Sequence, residues 1–213
     1  MNKKLESIAY HEAGHAAANL YFRIKFKNVS IIPENISAGR VNPVKASQRL
    51  KNNIELGSLS PRDERYLKNE CITTMAGPVA QAKFEKRKKV LNRGSKSDEY
   101  HFFEYTENLK IPQNGSLHYM NYIIEEAKDL FIDKNELFPN LWKFVIFLSK
   151  ELIRDKELSY LQCKRHYQQI IGDNYYDSFN SLNYNINKPS QEWLNQKKLQ
   201  NINEAIKLSS VKE

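Results

Sequence analysis

Two of the five histidines stand four residues apart, in His11-Glu12-Ala13-Gly14-His15. On a helix that spacing puts both imidazoles on one face, close enough to share an ion. Zinc favours nitrogen and sulfur donors in a tetrahedral site, so the pair supplies half of a ligand set. Glu12 follows the first histidine directly. From there its carboxylate reaches a water activated by the metal rather than the metal itself, the position a hydrolytic general base takes. The pattern predicts a zinc site with one ion per chain, at which Glu12 serves as base. A catalytic zinc needs a third protein ligand and one open position. Glu70, Asp98, Glu99, His101, His118 and His166 are the candidates, and spacing alone does not choose among them.

The elements around the motif follow from hydrophobic spacing. Leu5, Ile8, Ala9, Ala13, Ala16, Ala17 and Leu20 mark a helix over residues 4–22, in which Gly14, Ala17 and Ala18 allow another element to come close. Lys25 to Pro33 alternates and is rich in β-branched residues, so it reads as a strand, and Gly39-Arg40-Val41 as the return of a hairpin. Residues 44–60 are polar without a period and read as loop. A second helix covers Pro61 to Lys86, with a kink or break at Gly77-Pro78. A third spans 98–109, capped by Ser95 or Ser97. From Ser116 onward the pattern is helical throughout, over 119–134, 137–154 and 158–171. An Asn- and Tyr-rich connector (173–189) and a weaker helix (190–208) end the chain. The expected class is mainly α: a helical domain over 1–172 with a small β-hairpin near the motif helix. Its active-site core covers 1–110 and its paired helices 116–172, followed by a connector and C-terminal helix over 173–213.

The formal net charge is +8 and the densest basic run is Lys83 to Lys96. Such runs are mostly solvated faces, and no nucleic-acid-binding module accompanies this one, so nucleic acid is not the expected partner. The longest apolar run, Leu141 to Leu152, is broken by Lys143, Ser149, Lys150 and Glu151, and no membrane span is expected. Met1-Asn2-Lys3-Lys4 leads straight into the motif helix, whose Glu6, His11 and Glu12 make a poor signal peptide. Cys71 and Cys163 lie far apart in sequence and read as ordinary thiols of a reducing compartment. The expected location is cytoplasmic.

Several segments, in order, resemble the peptidase domain of the FtsH-type ATP-dependent zinc metalloproteases. Ala9-Tyr10-His11-Glu12-Ala13-Gly14-His15-Ala16 is similar to that family's active-site helix. Val29-Ser30-Ile31-Ile32-Pro33 is similar to its K-V-T-I-I-P strand, Met75 to Ala80 to its G-G-R-A-A-E segment, and Gly94-Ser95-Lys96-Ser97-Asp98 to its G-A-S-N-D. The resemblance implies a zinc metalloendopeptidase with His11, His15 and Asp98 as ligands and Glu12 as base. His101, three residues on, is the alternative third ligand. The segment after Asp98 departs from the family pattern, and Gln81 stands where the family carries a glutamate. No G-x-x-x-x-G-K-[ST] phosphate loop is present, so no ATP site is expected in this chain.

The implied substrate is polypeptide, in unfolded or exposed segments, held along Val29, Ser30, Ile31 and Ile32 by strand addition. A separate ATPase or other delivery partner, and a homo-oligomer, are left open. Two other readings stand beside this one: a regulatory peptidase that cleaves one specific partner, and a catalytically altered relative acting as a binding or adaptor module.

Overall fold

A computed structural model describes residues 2–34, 38–132 and 141–172. The connector and C-terminal helix expected over 173–213, and the helix ends expected at 133–140, lie outside these residues. Among the described residues the molecule is mainly helical with a small antiparallel sheet, as expected. The helices are α1 (Lys3–Tyr21), α2 (Gln48–Glu55), α3 (Pro61–Phe84), α4 (Lys96–Asn108), α5 (Gln113–Asp129), α6 (Leu141–Asp155) and α7 (Tyr160–Ile171). The strands are β1 (Phe26–Ser30), β2 (Arg40–Pro43) and β3 (Glu157–Ser159), in the order β2-β1-β3.

α1 is the central element. Ala9, Ala13, Ala16, Ala17 and Ala18 are wholly buried, and the helix packs mainly on α3 and α6. Its small residues explain why it can lie so close to α3. A Cβ on Gly14 would fall 2.6 Å from both the Ala76 carbonyl oxygen and the Ala80 Cβ, so only glycine fits there. At one end of this contact the Tyr10 ring stacks on Phe84, with centroids 4.1 Å apart. α3 runs unbroken through Gly77-Pro78, where the sequence predicts a kink or break. Burial of this segment against α1 offsets the hydrogen bond that Pro78 cannot donate.

Three further differences have physical reasons. Residues 48–55, expected as loop, form α2, started by Ser47, whose hydroxyl accepts from Leu50 N–H at 3.2 Å. Only Leu50 of that helix is buried, so there was little apolar period to detect. The expected hairpin is a three-stranded sheet, because β3 pairs with β1 through Val29–Leu158. β3 has three residues and a single inward side chain, too few for an alternation to register. Four helices, α1, α3, α4 and α6, are followed by a residue in the left-handed region, and each is cationic: Arg23, Lys86, Lys110 and Lys156. Glycine usually ends helices this way. Here a basic side chain near the negative end of the helix dipole stands in its place.

Candidate metal centre

Two facing polar stripes build the site. On α1, Ser7, His11, His15 and Asn19 recur every fourth residue; on α3, Thr73, Gly77 and Gln81 do the same, and Glu85, the residue that caps the helix, continues the spacing. The helices run antiparallel, so the stripes meet in reverse order. The His15 Nδ1–H donates to the Thr73 carbonyl at 2.8 Å, and the His11 Nδ1–H donates to Gln81 Oε1 at 3.1 Å. The Gln81 amide is oriented from its other side, since its NH2 donates to Ser7 Oγ at 2.8 Å and Glu85 Oε1 at 3.2 Å. Arg87 in turn holds Glu85. Gln81 thus acts as the outer acceptor of His11 and fixes the ring through an amide oxygen.

With both Nδ1 atoms committed as donors, both Nε2 atoms of the neutral rings turn lone pairs inward. They lie 3.1 Å apart. Asp98, in the first turn of α4, completes the group: Oδ2 is 3.3 Å from His11 Nε2 and Oδ1 is 3.3 Å from His15 Nε2. One ligand atom from each of the three residues can be chosen so that all lie within 4.8 Å of one another. Asp98 Oδ2 is buried without a hydrogen-bond partner among the described residues. Converging acceptors with no donor among them repel one another unless a cation or a proton sits between. His11, His15 and Asp98 therefore form a group that could hold a metal ion, and their donor set suits a divalent transition metal.

A proton fills the same role in the protein's own ionisation. Burial lowers the His15 pKa, but the Asp98 carboxylate outweighs it and raises the ring to about 9. Burial also opposes ionisation of Asp98, yet the two histidines hold it below the usual carboxylate range. Glu12 is 5% exposed, and burial pushes its pKa up despite the neighbouring His11 and His15. Its carboxylate lies against the chain leaving the β1–β2 connection, where a Cβ on Gly39 would come 2.8 Å from Glu12 Oε1.

No protein-family model matches the chain, and no curated protein matches it. The geometry therefore carries the assignment of residues alone.

The structure brings together His11, His15 and Asp98 beside Glu12. It excludes His101 from the group: that ring is on the outer side of α4, 59% exposed, with Nδ1 2.8 Å from Glu104 Oε2. Residues three apart share a helix face, but this ring is held by Glu104 on the solvent side instead of turning back toward the histidines. His166 sits between α7 and α6, beside Glu151 and the Phe147 ring, and is not part of the group. The substrate role expected of Val29, Ser30, Ile31 and Ile32 is corrected. β1 is the middle strand, with Val29 and Ser30 paired to β2 on one side and β3 on the other. The Ile31 N–H donates to the Lys156 carbonyl and the Ile32 N–H to Ser30 Oγ. At Val29 and Ser30 both edges of the strand are therefore taken.

Sequence reasoning missed Thr73, Gly77 and Gly39. Thr73 acts through its backbone, which leaves no trace in residue type. Gly77 was legible in principle, since a Cβ there would lie 2.2 Å from His15 Nε2, and its spacing of four from both Thr73 and Gln81 marks the stripe.

Proposed function

We propose that this chain is a zinc metalloendopeptidase, similar in its working parts to the peptidase domain of FtsH-type proteases. The observation that carries the reading is the convergence of His11, His15 and Asp98 acceptors beside a buried carboxylate, Glu12. Zinc bound by this group supplies Lewis acidity toward a peptide carbonyl and the attacking water. Glu12 accepts the proton of that water and returns it to the leaving amine, and its packing against Gly39 holds the carboxylate in place for both transfers. Thr73 and Gln81 hold the two imidazoles in the tautomer that leaves Nε2 free to ligate.

The substrate is polypeptide in extended form. With β1 internal, β2 is the strand that fits strand addition: it has β1 on one side only, and it begins at Arg40, one residue from the glycine packed on Glu12. Because no phosphate-loop sequence is present, the substrates proposed are unfolded or exposed segments, or chains delivered by a partner ATPase. No helix among the described residues is long and apolar enough to cross a membrane. The buried, unpaired Cys71 and Cys163 support a cytoplasmic setting.

The test combines metal analysis with hydrolysis of a fluorogenic unfolded protein. Wild-type chain should carry about one zinc, and Glu12→Gln should keep the zinc while losing at least ~100-fold in rate. Zinc lost together with activity in Glu12→Gln would overturn the role of Glu12, and a metal-loaded wild type inert on every peptide would overturn the peptidase reading.

A further inference from the structure

A cavity of about 260 Å³ opens at the end of the β1–β2 ladder away from Glu12. Phe26 pairs with Pro43 at that end, whereas Ser30 pairs with Arg40 at the end near the metal group. Lys25, just before β1, and Lys45, just after β2, line it together with Arg49 of α2 and Arg62 of α3. Its one carboxylate, Asp63, is 2% exposed and fully engaged. Asp63 accepts from Arg49 at 2.6 Å, from Asn53 at 2.9 Å, and from the Ser60 hydroxyl and N–H at 2.6 and 3.1 Å. The Arg49 charge is thereby balanced. The side chains of Lys25, Lys45 and Arg62 have no hydrogen bond or ion pair among the described residues. Three uncompensated cations around one concavity repel one another and focus a positive field into it. An anionic group entering there relieves that repulsion.

β2 connects this cavity to the metal group. Gly39, before β2, lies on Glu12, and Val44, after β2, lines the cavity. At a strand's rise the five residues from one to the other correspond to roughly 16 Å. β2 runs from the metal group toward the cavity. A peptide added to its edge in the antiparallel sense, the more stable pairing, runs from the cavity toward Glu12. Resting on the peptidase reading above, we propose that the cavity is a specificity subsite for an acidic side chain. It takes the carboxylate of an Asp or Glu about five residues N-terminal to the scissile bond. The enzyme is then selective for unfolded segments with acidic residues upstream of the cut.

Two measurements on the full chain test this. The first is binding, by fluorescence anisotropy, of two labelled peptides to Glu12→Gln protein. The peptides are identical except for Asp and Glu in the upstream half of one and Asn and Gln in the other. The acidic peptide should bind about tenfold tighter, with the preference shrinking as salt rises. Lys45→Glu with Arg62→Glu should abolish that preference and favour a lysine-containing peptide instead, with metal content and helicity unchanged as the check on folding. Equal affinities, or an acidic preference that survives the charge reversal, would overturn the subsite. So would a single-stranded oligonucleotide that binds wild-type protein more tightly than the acidic peptide at equal charge and loses that binding in the variant, since the cavity would then read phosphate.

The second measurement maps cleavage sites in an unfolded protein digested by wild-type enzyme. Acidic residues should be enriched about five positions before the cut. Acidic residues enriched after the cut, or not at all, would overturn the assigned direction. Charge-selective binding with no cleavage of any peptide would instead fail the peptidase reading and leave the anion site standing.

Discussion

Gly77 and Gly39 limit the site as firmly as the residues that carry charge. Each is defined by what a single methyl group would strike: His15 Nε2 at 2.2 Å for Gly77, and the Glu12 carboxylate at 2.8 Å for Gly39. The two substitutions should therefore separate binding from catalysis. Gly77→Ala should expel the His15 ring and lower metal affinity at least ~10-fold, in the range that follows loss of supporting contacts around a metal ligand. Gly39→Ala should leave metal affinity near wild type and depress hydrolysis, because it moves Glu12 alone. Competition with a fluorescent chelator, alongside the rate on an unfolded substrate, distinguishes them. Equal loss of metal in both variants would mean that Glu12 and the histidines are not independently held.

At the level of elements, the pairing of α1 with α3 positions two of the three ligands and their outer acceptors, while α4 brings the third. The first turn of α3 is itself well anchored. Ser60 and Asp63 form a reciprocal capping box, and Arg49 and Asn53 tie the same carboxylate to α2. Hydrogen bonds, first from the Ser60 hydroxyl and then from Asn53, hold the Asp63 pKa well below the usual carboxylate range. A carboxylate whose pKa is lower folded than unfolded stabilises the fold above its unfolded value, near 3.8. That contribution fades as pH falls toward the folded value. Asp63→Asn should thus lower the melting temperature by a few degrees at pH 7, with the gap to wild type narrowing below about pH 4. A gap independent of pH would show that volume rather than charge is at stake.

These same elements show what a sequence can and cannot disclose. α1 was legible because its alanines keep helical spacing and its histidines share a face. Asp98 was legible only through a resemblance: in isolation it was one of six candidates, and its choice depends on how α4 is docked, which no local pattern encodes. β1 was seen as a strand but misjudged as an edge, since its second neighbour, β3, lies more than a hundred residues away and is three residues long. The C-terminal ends of α1, α3, α4 and α6 were read to within two residues although a cation, not glycine, takes the left-handed position after each, because the apolar period stops there.

Across the described molecule, β3 ties α6 and α7 to the sheet beside the site. It joins α6 to α7, pairs with β1, and buries Leu158 in the core beneath them. Leu158→Ala should cost about 2–5 kcal/mol of global stability. Amide exchange at Val29 and Ile31, which lie along the β1–β3 seam, should accelerate more than exchange in α5. Hydrogen exchange with mass analysis of peptides reads this directly. Uniform acceleration would show that the seam does not open before the rest of the fold.

The contact of Gly14 with Ala76 and Ala80 has a consequence for descent. A backbone seated directly on a neighbouring turn leaves no room for a larger residue at Gly14 and little at Ala80, whereas exposed residues on the same helices meet no such limit. A distant relative could lose nearly all identity with this chain and still have to preserve the pattern of small residues on the two helices. Ancestry would then be written in the sizes of side chains at a few helical intervals, and a search tuned to volume and phase would find kin that letter-by-letter alignment passes over.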